Sequence, residues 1–245
     1  MSSRVLMVTG AGRGIGAECA LQAARAGYSV CVNYRSDSRS AADVVARIDA
    51  AGGKAVAIAA DVGREDEVTA LFARCDRELG RVTDLINNAG IVAPPCRVDQ
   101  FDGARLRRVF DTNVLSAFYC ARETVRRAST RHGGHGGVIV NISSVAAVLG
   151  SPNEYVDYAA SKGAIDTMTR GLAKEVAAEG IRVVAIRPGL IETGIHEAGR
   201  LERLAPSVPM LRAGTPAEVA HVAVFLLSAQ ASYVTGTVID VGGGR

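Results

Sequence analysis

Tyr158 and Lys162 stand four residues apart in Tyr158-Ala159-Ala160-Ser161-Lys162, a spacing that turns both side chains to one side of a helix. A free tyrosine hydroxyl has a pKa of about 10 and is a poor base at neutral pH, but a nearby ammonium favours the phenolate and lowers that value. The pair can then give a proton to a substrate oxygen or take one from it. The same spacing arises in helices that do no chemistry, so its meaning depends on its company. Upstream, Ile142-Ser143-Ser144 closes an apolar run and offers a hydroxyl to a carbonyl oxygen. Asn87-Asn88-Ala89-Gly90 closes another run, and Asn113 falls inside a long helical stretch, where a buried amide needs partners.

A second constellation lies at the start of the chain. Thr9-Gly10-Ala11-Gly12-Arg13-Gly14-Ile15-Gly16 follows the first apolar run and precedes a helix rich in small residues, 17–26. Glycines at a strand-to-helix turn let backbone approach a pyrophosphate, whose charge is favoured by the free N–H groups and dipole of the helix N-terminus. Position gives the loop its weight, since turns collect glycine for steric reasons alone. The second run ends in Asn33-Tyr34-Arg35-Ser36, where enzymes using NAD commonly carry an acid for the adenosine ribose. With no acid there, Arg35 and Arg13 are cations suited to a 2′-phosphate, so NADP(H) is the expected cofactor. The alternative is that both arginines are solvated surface groups. Asp61-Val62 closes the third run, and for Asp61 by itself a helix-capping role is equally open.

The elements that must hold these residues alternate. Short, continuously apolar runs at 4–9, 29–34, 54–59, 84–87, 138–143, 182–187 and 237–240 suit parallel strands covered on both faces. Between them lie amphipathic stretches. At 65–79 the helical period places Val68, Leu71, Phe72, Cys75 and Leu79 on one face. Helices are also expected at 106–129, from 158 to about 178, and at 216–228, the last opened by Thr215-Pro216-Ala217-Glu218 with the pattern of a capping box. Residues 132–137, rich in Gly and His, read as a loop, and their histidines as a solvated turn ahead of a metal site. The fold class is α/β: a doubly wound, seven-stranded parallel sheet with helices on both faces, in a single Rossmann-like domain over 1–245.

Composition narrows the function classes. The 245 residues are 48% hydrophobic and carry a formal charge of +3 without a run of like charges, which argues against nucleic acid as a partner. Cys19, Cys31, Cys75, Cys96 and Cys120 form an odd set with no C-x-x-C pair, and read as reduced thiols. Without a leader pattern or a segment of membrane-spanning length, a cytoplasmic protein away from the membrane is expected. No metal is expected.

Taken together, T-G-x-x-x-G-I-G, N-N-A-G, an internal Asn, a strand-end Ser, Y-x-x-x-K and Pro188-Gly189 occur in the order of the short-chain dehydrogenases/reductases, which this chain resembles over nearly its whole length. The resemblance implies a catalytic set of Asn113, Ser144, Tyr158 and Lys162. Ser143 is a minor rival to Ser144, because the interval from Ser144 to Tyr158 is one residue longer than is common in the family. It implies dinucleotide contacts at Gly10, Gly12, Arg13, Gly14, Ile15, Gly16, Asn33, Tyr34, Arg35, Ser36, Asp61, Val62, Asn88, Ala89, Gly90, Tyr158, Lys162, Pro188, Gly189, Ile191 and Thr193. In the implied reduction Ser144 polarises a carbonyl and Tyr158 donates a proton while nicotinamide delivers hydride. Lys162 lowers the tyrosine pKa and binds the nicotinamide ribose, and Asn113 helps hold a water chain. Residues 191–209 resemble the family's substrate lid. Val92, Pro94, Ala146, Val148 and Tyr155 are the expected pocket walls, suited to a small apolar or aromatic carbonyl or alcohol substrate. Family members make reduction of a 3-oxoacyl thioester and oxidation of glucose at its first carbon natural alternatives. A catalytically silent, dinucleotide-binding regulator is a third. The tail 240–245 and the long helices imply a homotetramer.

Overall fold

The computed structural model describes residues 4–194 and 199–245. Residues 195–198, part of the expected lid, lie outside them. The chain alternates strand and helix: β1 Val5–Val8, α1 Gly14–Arg25, β2 Ser29–Tyr34, α2 Ser38–Ala50, β3 Lys54–Ala59, α3 Glu65–Leu79, β4 Asp84–Asn87, α4 Gly103–Phe110, α5 Ser116–Ala128, β5 Gly137–Ile142, α6 Ala146–Leu149, α7 Val156–Val176, β6 Ile181–Pro188, α8 Arg200–Leu204, α9 Pro216–Leu227 and β7 Val238–Val241. The strands pair in parallel in the order β3-β2-β1-β4-β5-β6-β7. Connections therefore leave in opposite directions from β1 and β4, and the crevice at their carboxyl ends is where such a sheet receives a ligand. Among the described residues no helix is long and apolar enough to cross a membrane.

The continuous apolar runs have the expected cause. Strand side chains are buried on both faces, Leu6 and Val8 in a core under α1, α2 and α9, Val5 and Met7 in another under α3, α5 and α7. The box at the start of α9 forms: the Glu218 N–H donates to Thr215 Oγ1 at 3.4 Å and the Thr215 N–H to Glu218 Oε2 at 2.8 Å. One helical expectation needs correction. The helix expected at 106–129 runs without a gap from Gly103 to Ala128 but is not α-helical throughout, because Asp111–Leu115 forms a π turn between α4 and α5. Asn113 sits in that turn, and the hydrogen bonds of its side chain account for the widened coil, a distortion that recurs at functional sites. Helix α2, which follows the Asp37 cap, adds an element at 38–50 that the sequence reading left unassigned.

Candidate active site

The glycine turn is held from three sides. Gly10 and Gly14 adopt φ of +61° and +57°, a region that other residues occupy only with strain. The Gly10 N–H donates to Asn33 Oδ1 at 3.3 Å and the Ala11 N–H to the Asn33 carbonyl at 2.8 Å. Asn88 donates through Nδ2 to the carbonyls of Thr9 (2.9 Å) and Gly10 (3.0 Å), while Thr9 Oγ1 accepts the N–H groups of Asn88 and Ala89 at 3.0 Å each. Two residues expected to touch cofactor therefore secure the turn with their side chains, and Thr9 is a supporting residue that sequence reasoning passed over. Gly16 is buried behind the turn: a Cβ there would stand 2.5 Å from Asn88 Nδ2 and 2.6 Å from the Gly10 carbonyl.

From this turn a cleft of about 480 Å³ runs across the carboxyl ends of the strands. The end beside the glycine turn is lined by Gly10, Gly12, Arg13, Gly14, Ile15, Asn33, Tyr34, Arg35, Ser36, Ala60, Asp61, Val62, Ala89 and Gly90. Arg13 and Arg35 are exposed. Asp61 Oδ1 accepts the Gly63 N–H at 3.0 Å, a local turn bond, and it does not cap α3. An acid does stand in this end of the cleft, Asp37, three residues beyond the last residue of β2. Its carboxylate caps α2, accepting from the Ser40 hydroxyl (2.7 Å) and N–H (3.0 Å). Those bonds, with Arg13 nearby, hold it below the usual carboxylate range.

At the other end stand Ser144, Tyr158 and Lys162. The Tyr158 hydroxyl stands beside the Ser144 side chain, near enough for Ser144 to lower its pKa. Ser144 Oγ also accepts the Ala146 N–H at 3.1 Å, which starts α6 and orients the hydroxyl. Ser143 is buried and donates to the Lys162 carbonyl at 3.1 Å, so its hydroxyl is committed to the fold. Lys162 is buried, with Nζ donating to the Ile142 carbonyl at 2.7 Å and 5.7 Å from the Tyr158 ring centre. Burial pulls its pKa down to about 8, against an upward pull from Asp166 on the next turn. Tyr158 departs from expectation. Burial raises its pKa above the ordinary value, and the lowering influence on it is the Ser144 hydroxyl in place of the lysine. Asn113 lies behind the cleft wall: Oδ1 accepts the Ile91 N–H at 2.8 Å, and Nδ2 donates to the Ile91 carbonyl and to Ser161 Oγ, each at 3.0 Å. Its side chain thus fastens the segment after β4 to α7.

The substrate side is only partly as expected. Val92, Ala146 and Tyr155 line the cleft, and so do Pro188, Gly189, Ile191 and Thr193. Pro94 and Val148 are outside the lining. Val148 is 60% exposed on the one-turn helix α6, whose next residue Leu149 faces the cleft instead. Ser151, Leu190 and Arg245 are further wall residues that the sequence reading did not name. The interval between Ser144 and Tyr158 is closed by a turn with Ser151 and Asn153 at φ of +46° and +62°. A dinucleotide fits what is present. Glycine backbone lines the cleft at the N-terminus of α1, where Arg13 supplies no side-chain cap, and Ser144, Tyr158 and Lys162 stand at the far end.

Comparison with known proteins gives consistent relatives. Residues 10–245 match a family model described as enoyl-(acyl carrier protein) reductase. The chain is 50% identical over 245 residues to the Escherichia coli K12 oxidoreductase YgfF, covering 98% of this chain and 99% of that protein. It is 40% identical to 3beta-hydroxysteroid dehydrogenase 1 of Eggerthella lenta, covering 100% and 94% of the two. Among solved structures it is similar to the 3-ketoacyl-(acyl-carrier-protein) reductase of Brucella melitensis complexed with NADH, with a TM-score of 0.92, 34% identity, and 99% and 98% of the chains covered.

Proposed function

Because the chain belongs to the short-chain dehydrogenase/reductase family, we propose that it is an NADP(H)-dependent oxidoreductase moving hydride between nicotinamide and a carbonyl or secondary alcohol carbon, with Tyr158 as general acid and base. One observation carries this reading: the Ser144–Tyr158 hydroxyl pair, with Lys162 on the next turn, stands in the same cleft as the glycine turn. When bound, the dinucleotide supplies or accepts the hydride. Gly10, Gly12, Gly14 and Ile15 give it backbone at the helix N-terminus, and Pro188, Gly189, Ile191 and Thr193 border its nicotinamide end. Ser144 donates a hydrogen bond to the carbonyl oxygen, and Tyr158 transfers its hydroxyl proton to that oxygen as the alcohol forms. Lys162 places a positive charge beneath them and hydrogen-bonds the nicotinamide ribose. Asn113 keeps Ile91 and the wall after β4 in register.

The walls near Tyr158 favour an apolar carbonyl compound. A sugar would set some of its hydroxyl groups against Val92, Leu149 and Leu190, which offer no hydrogen-bond partners. Reduction of a 3-oxoacyl thioester or oxidation of a hydroxysteroid, reactions of the kind named for two relatives, suits these walls better. Exposed Phe110, Phe118 and Val156 on α4, α5 and α7 support the homotetramer, which we place in the cytoplasm.

The choice of NADP(H) rests on Arg13 and Arg35. Arg35→Ala is expected to weaken NADPH binding about tenfold and leave NADH within about twofold, since a charge-assisted bond to the 2′-phosphate is worth about 1.5–3 kcal/mol. Fluorescence titration with both dinucleotides checks this. Equal losses for the two would remove Arg35 from the phosphate site.

A further inference from the structure

Arg105 is a charged side chain that the mechanism above does not use, yet it is 10% exposed, and its carboxylate partner Asp157 is 1% exposed. It projects from α4 between the segment after β4 and the start of α7. Nε donates to Asp157 Oδ2 at 2.7 Å and Nη2 to Asp157 Oδ1 at 3.1 Å, a bidentate pair. Nη1 donates to the Pro94 carbonyl at 2.5 Å and to Cys96 Sγ at 3.0 Å. The guanidinium plane lies 4.1 Å from the centre of the Phe101 ring. Asp157 directly precedes the proposed proton donor and accepts the Tyr158 N–H through Oδ1 at 2.9 Å. Residues 91–97 carry Val92 of the cleft wall, and the Cys96 N–H reaches the Glu154 carbonyl at 3.1 Å in the segment leading into α7.

We infer that Arg105 is a positioning residue that clamps residues 91–97, the segment whose Val92 lines the cleft, to the first turn of α7 and so fixes the spacing of Val92 from Tyr158. The inference rests on the reading of Tyr158 given above. Stability alone does not account for such a pair, because the desolvation of two buried charges offsets their attraction and apolar residues of similar volume commonly do as well. What apolar residues cannot do is hold a carbonyl, a thiol and a carboxylate from two segments at set distances. The planar, five-donor guanidinium does that, and an ammonium does not.

The test separates positioning from stability. Arg105→Met leaves Asp157 buried without its cation and lowers thermal stability, whereas Arg105→Met combined with Asp157→Leu restores an apolar pair and most of that stability. In both variants the KM for a carbonyl substrate is expected to rise about tenfold, with NADPH affinity held within about twofold. Cys96 offers a readout independent of turnover, since Cys19, Cys31, Cys75 and Cys120 are buried. Its alkylation by iodoacetamide is expected to quicken about tenfold in both variants as the wall loosens. A double variant with wild-type stability, KM and Cys96 labelling overturns the clamp. If the wild-type chain turns over no carbonyl or alcohol, the functional reading fails by itself. The labelling then decides the clamp: faster labelling upholds it and an unchanged rate overturns it.

Discussion

Tyr158→Phe is expected to lower turnover about a thousandfold while NADPH affinity stays within about twofold, as befits loss of a positioned general acid. The substitution removes one oxygen and keeps the ring that packs beside Lys162. Ser144, still held by the Ala146 N–H, would continue to polarise the carbonyl, but no group would be placed to hand over the proton. Steady-state kinetics with a dinucleotide titration on the same preparation separate the two effects. Wild-type turnover in the variant would exclude Tyr158 as the proton donor. Parallel loss of turnover and of binding would make it a cofactor contact only.

Lys162→Met is expected to cost about a hundredfold or more in kcat/KM, since it removes a buried charged donor from the site. The buried ammonium also predicts a pH signature. Its pKa of about 8, against an ordinary 10.5, places its loss of charge within the working range. The kcat/KM for carbonyl reduction, which reports groups of the free enzyme, is expected to fall as pH rises through about 8. The sign for stability is opposite. Between about pH 8 and 10.5 the unfolded chain binds more protons at this lysine than the folded chain does, so this group makes the fold more stable as pH rises. A decline in activity above pH 8 with a steady or rising thermal midpoint would identify Lys162 as its source. A decline that follows unfolding would not.

Much of this arrangement can be read in the sequence, for identifiable reasons. Strands covered on both faces need continuous apolar runs, so β2, β3 and β4 have the predicted bounds. The same holds for α3, whose one buried face repeats with the helical period. The glycine turn and the Tyr158/Lys162 pair are local patterns whose residues are close in the chain. What the sequence hides is contact between distant segments and the facing of short elements. Nothing near Arg105 announces that Asp157, 52 residues on, closes over it. The π turn at Asn113 follows from hydrogen bonds to Ile91 and Ser161, neither of which is a helical neighbour. The one-turn helix α6 gives no period from which to choose between Val148 and Leu149. The rise in the Tyr158 pKa comes from burial, which the i, i+4 spacing alone does not report.

The most direct measurement is consumption of reduced nicotinamide by the purified chain. NADPH and NADH are followed in parallel across a panel of 3-oxoacyl thioesters, ketosteroids, small aromatic ketones and a sugar lactone. We expect NADPH-dependent turnover of apolar carbonyl compounds, slower with NADH and absent in Tyr158→Phe. Saturable dinucleotide binding with no turnover across the panel, in either direction of reaction, would contradict the assignment and leave a dinucleotide-binding regulator as the reading of this fold.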